Sequence, residues 1–205
     1  MIIEKPGEIE ARSMEIIESE LTVEIPEDVK SVVKRVIHCT ADFDYAHSLA
    51  FSDGVMEKAL SALKAGCTIV TDTQMAKAGI NKTAASRLGC EICCFMSDPD
   101  VALAAQEKGC TRAAASMEKA SKLPGMLIFA IGNAPTALLK LKELINGGNL
   151  RPALVIGVPV GFVNILEAKE AIMDTDVPYI VARGRKGGSN VAAAIINALM
   201  YQITR

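Results

Sequence analysis

The sequence predicts an α/β domain of three layers, with helices on both faces of a parallel sheet. Three observations predict it: five short apolar runs, helical stretches between them, and a strand–helix rhythm that holds from Cys67 onward. The runs are Cys67–Thr71, Glu91–Phe95, Met126–Ile131, Ala153–Val158 and Pro178–Ala182. Each is of strand length and lacks polar alternation, which is how strands buried on both faces read. Helical stretches fall between or after them at 81–88, 99–108, 111–122, 134–146 and 162–173, and a last one at 189–203 closes the chain. Strands alternating with helices of this length form βαβ units with right-handed crossovers.

Three further helices are expected before the first strand, at 7–20, 27–40 and 53–65. The second is the clearest. Val29, Val32, Val33, Val36 and Ile37 recur at helical spacing and form one apolar face. Because these helices precede the βα repeat, they lie across one end of the sheet or pack on a second subunit. There is no Pro/Gly/Ser-rich linker, low-complexity tract or internal repeat, so residues 1–205 read as one domain.

Composition narrows the class of function. Half of the residues are hydrophobic and the mean hydropathy is +0.28, while aromatics make up 4% and Trp is absent. Small aliphatic side chains therefore dominate the packing, and the apolar surplus predicts burial between subunits of a homo-oligomer. The charge is nearly balanced, with 22 Lys+Arg against 24 Asp+Glu. No basic block or basic–aromatic stripe occurs, which argues against nucleic acid as a partner. The apolar runs are too short to cross a membrane. The acidic and polar start after Met1 does not read as a signal peptide, so a cytoplasmic location is expected. Cys90 and Cys93 form a C-x-x-C inside an apolar run. On a strand they point to opposite faces and cannot share a metal, so the cysteines read as buried, reduced small hydrophobes.

The candidate chemistry begins with His38, one of only two histidines. It follows the apolar face of its helix but points away from it, so packing does not account for it. Histidine gives and takes protons near neutral pH, although a helix C-terminus also favours it electrostatically. In open parallel sheets, ligands bind beyond the carboxyl ends of the strands. The segments that follow the strands therefore supply the candidate binding residues. These are Asp72, Thr73, Met75, Lys77 and Gly79 after the first strand; Asn133, Pro135 and Thr136 after the third; and Arg183, Arg185, Gly187 and Gly188 after the fifth. The third, fourth and fifth such segments are rich in Gly and Pro and lead straight into helices. That arrangement suits close backbone approach and anion binding, and it also makes an efficient β-to-α turn. Arg183, Arg185 and Lys186 cluster, and Lys77, Lys82 and Arg112 fall near element ends, so a polyanionic ligand is expected. Nucleotide-binding glycine motifs, a nucleophile elbow and a His/carboxylate metal cluster are all absent. No cofactor and no metal site are predicted.

Several motifs occur together in a fixed order. They are Arg35-Val-Ile-His-Cys39; Asp72-Thr-Gln-Met75 with Ala78-Gly-Ile80; Ile131-Gly-Asn-Ala-Pro-Thr-Ala-Leu138; Gly157-Val-Pro-Val-Gly-Phe-Val163 with Glu167-Ala-Lys169; and Gly184-Arg-Lys-Gly-Gly-Ser189. This ordered set resembles the precorrin-8X (cobalt-precorrin-8) methylmutase family of corrin biosynthesis over nearly the whole chain. The resemblance implies a flavodoxin-like sheet of strand order 2-1-3-4-5 and a homodimer with sites near the subunit interface. It implies an isomerase that moves a methyl group from carbon 11 to carbon 12 of a tetrapyrrole, giving hydrogenobyrinate, or cobyrinate when cobalt is present. It also implies that His38 is the catalytic histidine and that Arg12, Ser13 and Arg112 contact the substrate. The match loosens around Phe43–His47, so no role passes to His47. Two other readings rest on the same loops: a non-catalytic α/β module that binds a polycarboxylate or phosphorylated ligand, and, from the fold type alone, a flavin protein.

Overall fold

A computed structural model describes residues 5–205. The reading against a signal peptide rests partly on residues 1–4, which lie outside the described residues. The elements in chain order are α1 (Pro6–Glu20), α2 (Glu27–Thr40), α3 (Tyr45–Ser48), β1 (Leu49–Phe51), α4 (Val55–Lys64), β2 (Thr68–Thr71), α5 (Gln74–Gly79), α6 (Lys82–Arg87), β3 (Glu91–Cys93), α7 (Pro99–Lys108), α8 (Arg112–Ala120), β4 (Leu127–Ile131), α9 (Pro135–Asn146), β5 (Leu154–Gly157), α10 (Ile165–Met173), β6 (Tyr179–Ala182) and α11 (Ser189–Thr204).

The five apolar runs supply the parallel strands β2 to β6. Among themselves these strands lie in the order second, first, third, fourth, fifth. The expected five-stranded sheet is nevertheless incomplete. A sixth strand, β1, pairs antiparallel with β6, Leu49 opposite Ala182 and Phe51 opposite Ile180. Three half-buried residues are too short to show a period, so β1 and the single turn α3 before it left no trace in the pattern.

Each face of the sheet has its own core. On one face, α11 packs against α2, α4, α5 and α6, and it buries Val191, Ile195, Ile196, Leu199 and Met200. The apolar stripe of α2 is buried on this side as its spacing predicts. The other face is covered by α8, α9 and α10 over Phe129, Ile131, Leu138, Leu141 and Ile172. Phe129 is fully enclosed; burying such a side chain stabilises by about 1.5–3 kcal/mol.

Helix starts follow local chemistry. Thr73, Asn81 and Thr111 each accept a hydrogen bond from the third amide of the helix that follows, and Pro6, Pro99 and Pro135 open α1, α7 and α9. The segment after β2, read as a loop, contains α5, which Thr73 caps. The cysteines follow their expected character only in part. Cys67, Cys90 and Cys94 are buried, but Cys39 is exposed and Cys93 and Cys110 are half-buried. Cys90 precedes β3 and faces Cys67 across the sheet at 3.7 Å, not Cys93. Among the described residues, no helix is long and apolar enough to cross a membrane.

Candidate active site

The carboxyl ends of β2, β4, β5 and β6 bring four loops into contact. Asp72, at the end of β2, is fully buried. Its carboxylate accepts the backbone N–H groups of Gly132 (2.9 Å), Asn133 (2.8 Å) and Ala134 (2.7 Å) at the start of α9. Burial pushes this carboxyl above its ordinary value, against the pull of the three donors. Thr73 and Ser189 share a 2.7 Å hydroxyl–hydroxyl hydrogen bond between the starts of α5 and α11. Gly132 packs so closely on this junction that a Cβ there would sit 2.7 Å from the Gly188 carbonyl oxygen. Gly188 donates its N–H to Val158 O at 2.9 Å, and Gly161 donates to Arg185 O at 3.2 Å.

His38 lies beside this cluster, on the last turn of α2. It is exposed, and among the described residues it has no hydrogen-bond or ionic partner. The next residue, Cys39, directs its Sγ at Asn190 O (3.9 Å) on the first turn of α11, which brings the end of α2 to the start of α11. Ala41, in the left-handed conformation, ends α2. Beyond it, Asp42 and Asp44 both pair with Lys186 at 2.6 Å and tie this turn to the β6–α11 loop. That contact holds the Asp42 carboxyl low and raises the Lys186 amine.

Several candidate binding residues gather around this edge. Met75 is 72% exposed on the first turn of α5, and Asn133 is exposed before α9. Arg183 and Arg185 are exposed, with the Arg185 guanidinium 5.5 Å over the ring of Phe162. Arg112 opens α8, where it lines a cavity with Leu103, Gln106 and Cys110, and its neighbour Thr111 meets Thr136 at 2.8 Å, so the starts of α8 and α9 sit side by side.

The structure gives the remaining candidate residues contacts of their own. Asp72 is buried and its carboxylate is engaged by backbone donors, so it holds a loop in place. By the same contacts, the amides after β4 are occupied by the protein's own carboxylate and are not free for an anion. Gly79 lies at the far end of α5, where a Cβ would be 2.9 Å from Ala193, and it permits close helix packing. Gly187 and Gly188 serve loop closure: a Cβ at 187 would fall 2.1 Å from Val158 O. Lys77 lines a shallow cavity with Lys82, Cys90 and Glu91, away from His38. Arg12 pairs with Glu15, and Ser13 bonds back to Ile9 O; no contact links either to His38 within one chain. They do lie near Glu10, which binds Arg35, one turn before His38.

The sequence reading gave Lys169 no role, though the structure gives it a central place. It is 1% exposed, and its Nζ donates to Gly184 O (2.7 Å) and Lys186 O (2.9 Å). Burial alone lowers its amine to about 8. Ile165, Ala168, Lys169 and Ile172 share one helical face, and a lysine among those apolar positions was the available signal.

The three-layer fold, with exposed arginines on the loop after the last strand and an exposed histidine at the end of α2, is that of an α/β protein of the flavodoxin-like class. Comparison with known proteins gives the family. The Precorrin-8X methylmutase family model matches residues 8–202. A cobalt-precorrin-8 methylmutase of Salmonella typhimurium is 45% identical over 98% of this chain and 97% of its own. A cobalt-precorrin-8 methylmutase of Leptospira interrogans is 43% identical over 94% of this chain and 91% of its own. The crystal structure of the precorrin-8X methylmutase from Thermus thermophilus superposes with a TM-score of 0.88, at 42% identity over 95% of both chains. The chain belongs to the precorrin-8X methylmutase family.

Proposed function

We propose that this chain, working as a single domain over 1–205, is an isomerase of cobalamin biosynthesis. It moves a methyl group from carbon 11 to carbon 12 of precorrin-8X or cobalt-precorrin-8, with His38 as the acid–base group. The observation that carries the reading is the place of His38. Among the described residues it is exposed and has no partner, on the last turn of α2 next to Cys39, whose Sγ meets the start of α11, in a chain of this family.

The chemistry suits the site. The substrate is a large apolar ring fringed by carboxylates. Methyl migration within it conserves all atoms and needs no nucleophile. Proton donation from His38 to the ring redistributes its electrons and eases the shift, His38 takes a proton back from the ring once the methyl has moved, and a positioned acid contributes typically ~10²–10⁴-fold. Rigid orientation of the ring supplies much of the remainder. Arg112, Arg183 and Arg185 hold the fringe, and Arg12 and Ser13 approach it from α1.

The test is turnover by purified protein of metal-free and cobalt-loaded substrate, followed by the change in the macrocycle's absorption. Faster conversion of one form names the natural substrate. Tight binding without conversion of either would leave a polycarboxylate-binding module instead. We further propose that the enzyme is cytoplasmic and works as a homodimer. The dimer is supported by the exposed apolar residues Met75, Val160, Phe162 and Val163 around the loops after β2 and β5.

A further inference from the structure

We propose that Lys169 is a positioning residue that orients the β6–α11 loop so that the Arg185 and Gly187 amides face the carboxylate fringe of the macrocycle. The inference rests on the reading of the ligand as a polycarboxylate, and it adds a residue and a pair of donors to it.

The argument starts from peptide geometry. In a trans peptide the C=O of one residue and the N–H of the next point in opposite directions, and every peptide described here is trans. Lys169 Nζ draws in the carbonyl oxygens of Gly184 and Lys186 at 2.7 and 2.9 Å. The N–H groups on the other side of those two peptides belong to Arg185 and Gly187, and they therefore point away from the amine. Among the described residues neither donates to a protein acceptor, and neither do the Gly184 and Lys186 amides, whereas Arg183 and Gly188, on either side of this stretch, donate to Ser48 O and Val158 O.

The rest of the loop is held to the same purpose. Gly161 donates to Arg185 O, so three successive carbonyls are occupied by donors from the β5–α10 segment. Gly184 takes a φ of +77°, and no side chain fits at Gly187. Residues 183–186 are exposed, and Arg183 and Arg185 carry the guanidinium groups of this stretch. The Lys186 side chain is drawn off to Asp42 and Asp44, which leaves the amides open. Two outward amides beside guanidinium groups form a landing place for one carboxylate.

The buried amine is not required for packing. Among the described residues Lys169 has no acidic partner, and burying an amine costs more than burying a methionine of like volume. Its amine does what a methionine thioether cannot do, which is to donate to two carbonyls at once.

The test combines amide NMR with kinetics. On titration of the wild-type protein with the corrin product, the Arg185 and Gly187 amide signals should shift as hydrogen-bonded donors do. With product methyl esters, which lack the anionic fringe, those two shifts should be lost. In Lys169→Met, the KM should rise about tenfold with kcat within about threefold, because fringe contacts hold ground state and transition state alike. Lys169→Arg, which keeps the donors, should recover part of the loss in KM. A wild-type KM in folded Lys169→Met would overturn the proposal, as would unmoved Arg185 and Gly187 signals in a wild-type protein that binds the product. Should Lys169→Met fail to fold, the wild-type titration decides alone. A wild-type protein that neither binds nor converts the macrocycle would instead sink the reading of function on which the proposal rests.

Discussion

Lys169 and His38 show how differently two titratable side chains are placed in one site. Lys169 is enclosed and its amine is lowered from 10.5 to about 8 by burial alone. The folded protein therefore releases this proton at a lower pH than the unfolded chain does. Between pH 8 and 10.5 the unfolded chain binds the extra proton, so the contribution of Lys169 to stability rises with pH across that window. Urea melts at pH 7.5 and pH 10 should show the wild type gaining relative to Lys169→Met; a constant difference between them would refute the burial argument. His38 lies open to ligand. His38→Ala should keep the fold and bind the macrocycle normally, yet lose turnover by about 10²–10⁴-fold, while His47→Ala stays near wild type. Near-normal turnover in folded His38→Ala would remove it from the chemistry. Arg112→Ala should raise the dissociation constant for the product more than it lowers kcat, as calorimetry and steady-state rates would show.

Among the elements, the junction of β2, the β4–α9 turn and α11 is the most constrained. Asp72 satisfies three amides there, and Gly132 leaves no room for a methyl group. Asp72→Asn replaces one acceptor with a donor facing N–H groups and should cost on the order of 3 kcal/mol, measured by denaturant unfolding. The strands and long helices were legible because each carries a full period: the valines of α2, the unbroken apolar run of β4 and the proline that opens α9. Strand β1 was not, because Leu49–Phe51 has no period of its own and exists through pairing with β6. In the site, His38 was legible as a polar residue off an apolar face. The occupation of the α9 amides by Asp72 was not, since that contact joins residues 60 or more positions apart. The clamp of Lys169 on the β6–α11 loop spans only 15 and 17 positions, and its one signal was a lysine on the apolar face of α10.

For the whole molecule, the question is what covers its apolar surface. Phe162 is 81% exposed and its neighbour Val163 is 74% exposed, next to Val160 and Leu166. Large side chains so open, and contiguous in sequence, are uncommon on a monomer, and they cluster where subunits or ligands dock. Val160, Phe162 and Val163 sit on the loop between β5 and α10 and Leu166 on the first turn of α10, with Phe162 beside Arg185, so the same surface borders the candidate site. A second copy packed there would bury the apolar residues and leave the arginines at the rim, facing the macrocycle. Sedimentation at micromolar concentration should therefore give a species of twice the 21.7 kDa chain mass. Phe162→Ser with Val163→Ser should shift it toward the monomer and reduce activity together with the dimer, with activity returning as protein concentration rises. A wild-type protein that sediments at 21.7 kDa with full activity would refute the dimer. A double variant that stays dimeric but loses substrate binding would assign these side chains to the macrocycle and move the interface elsewhere.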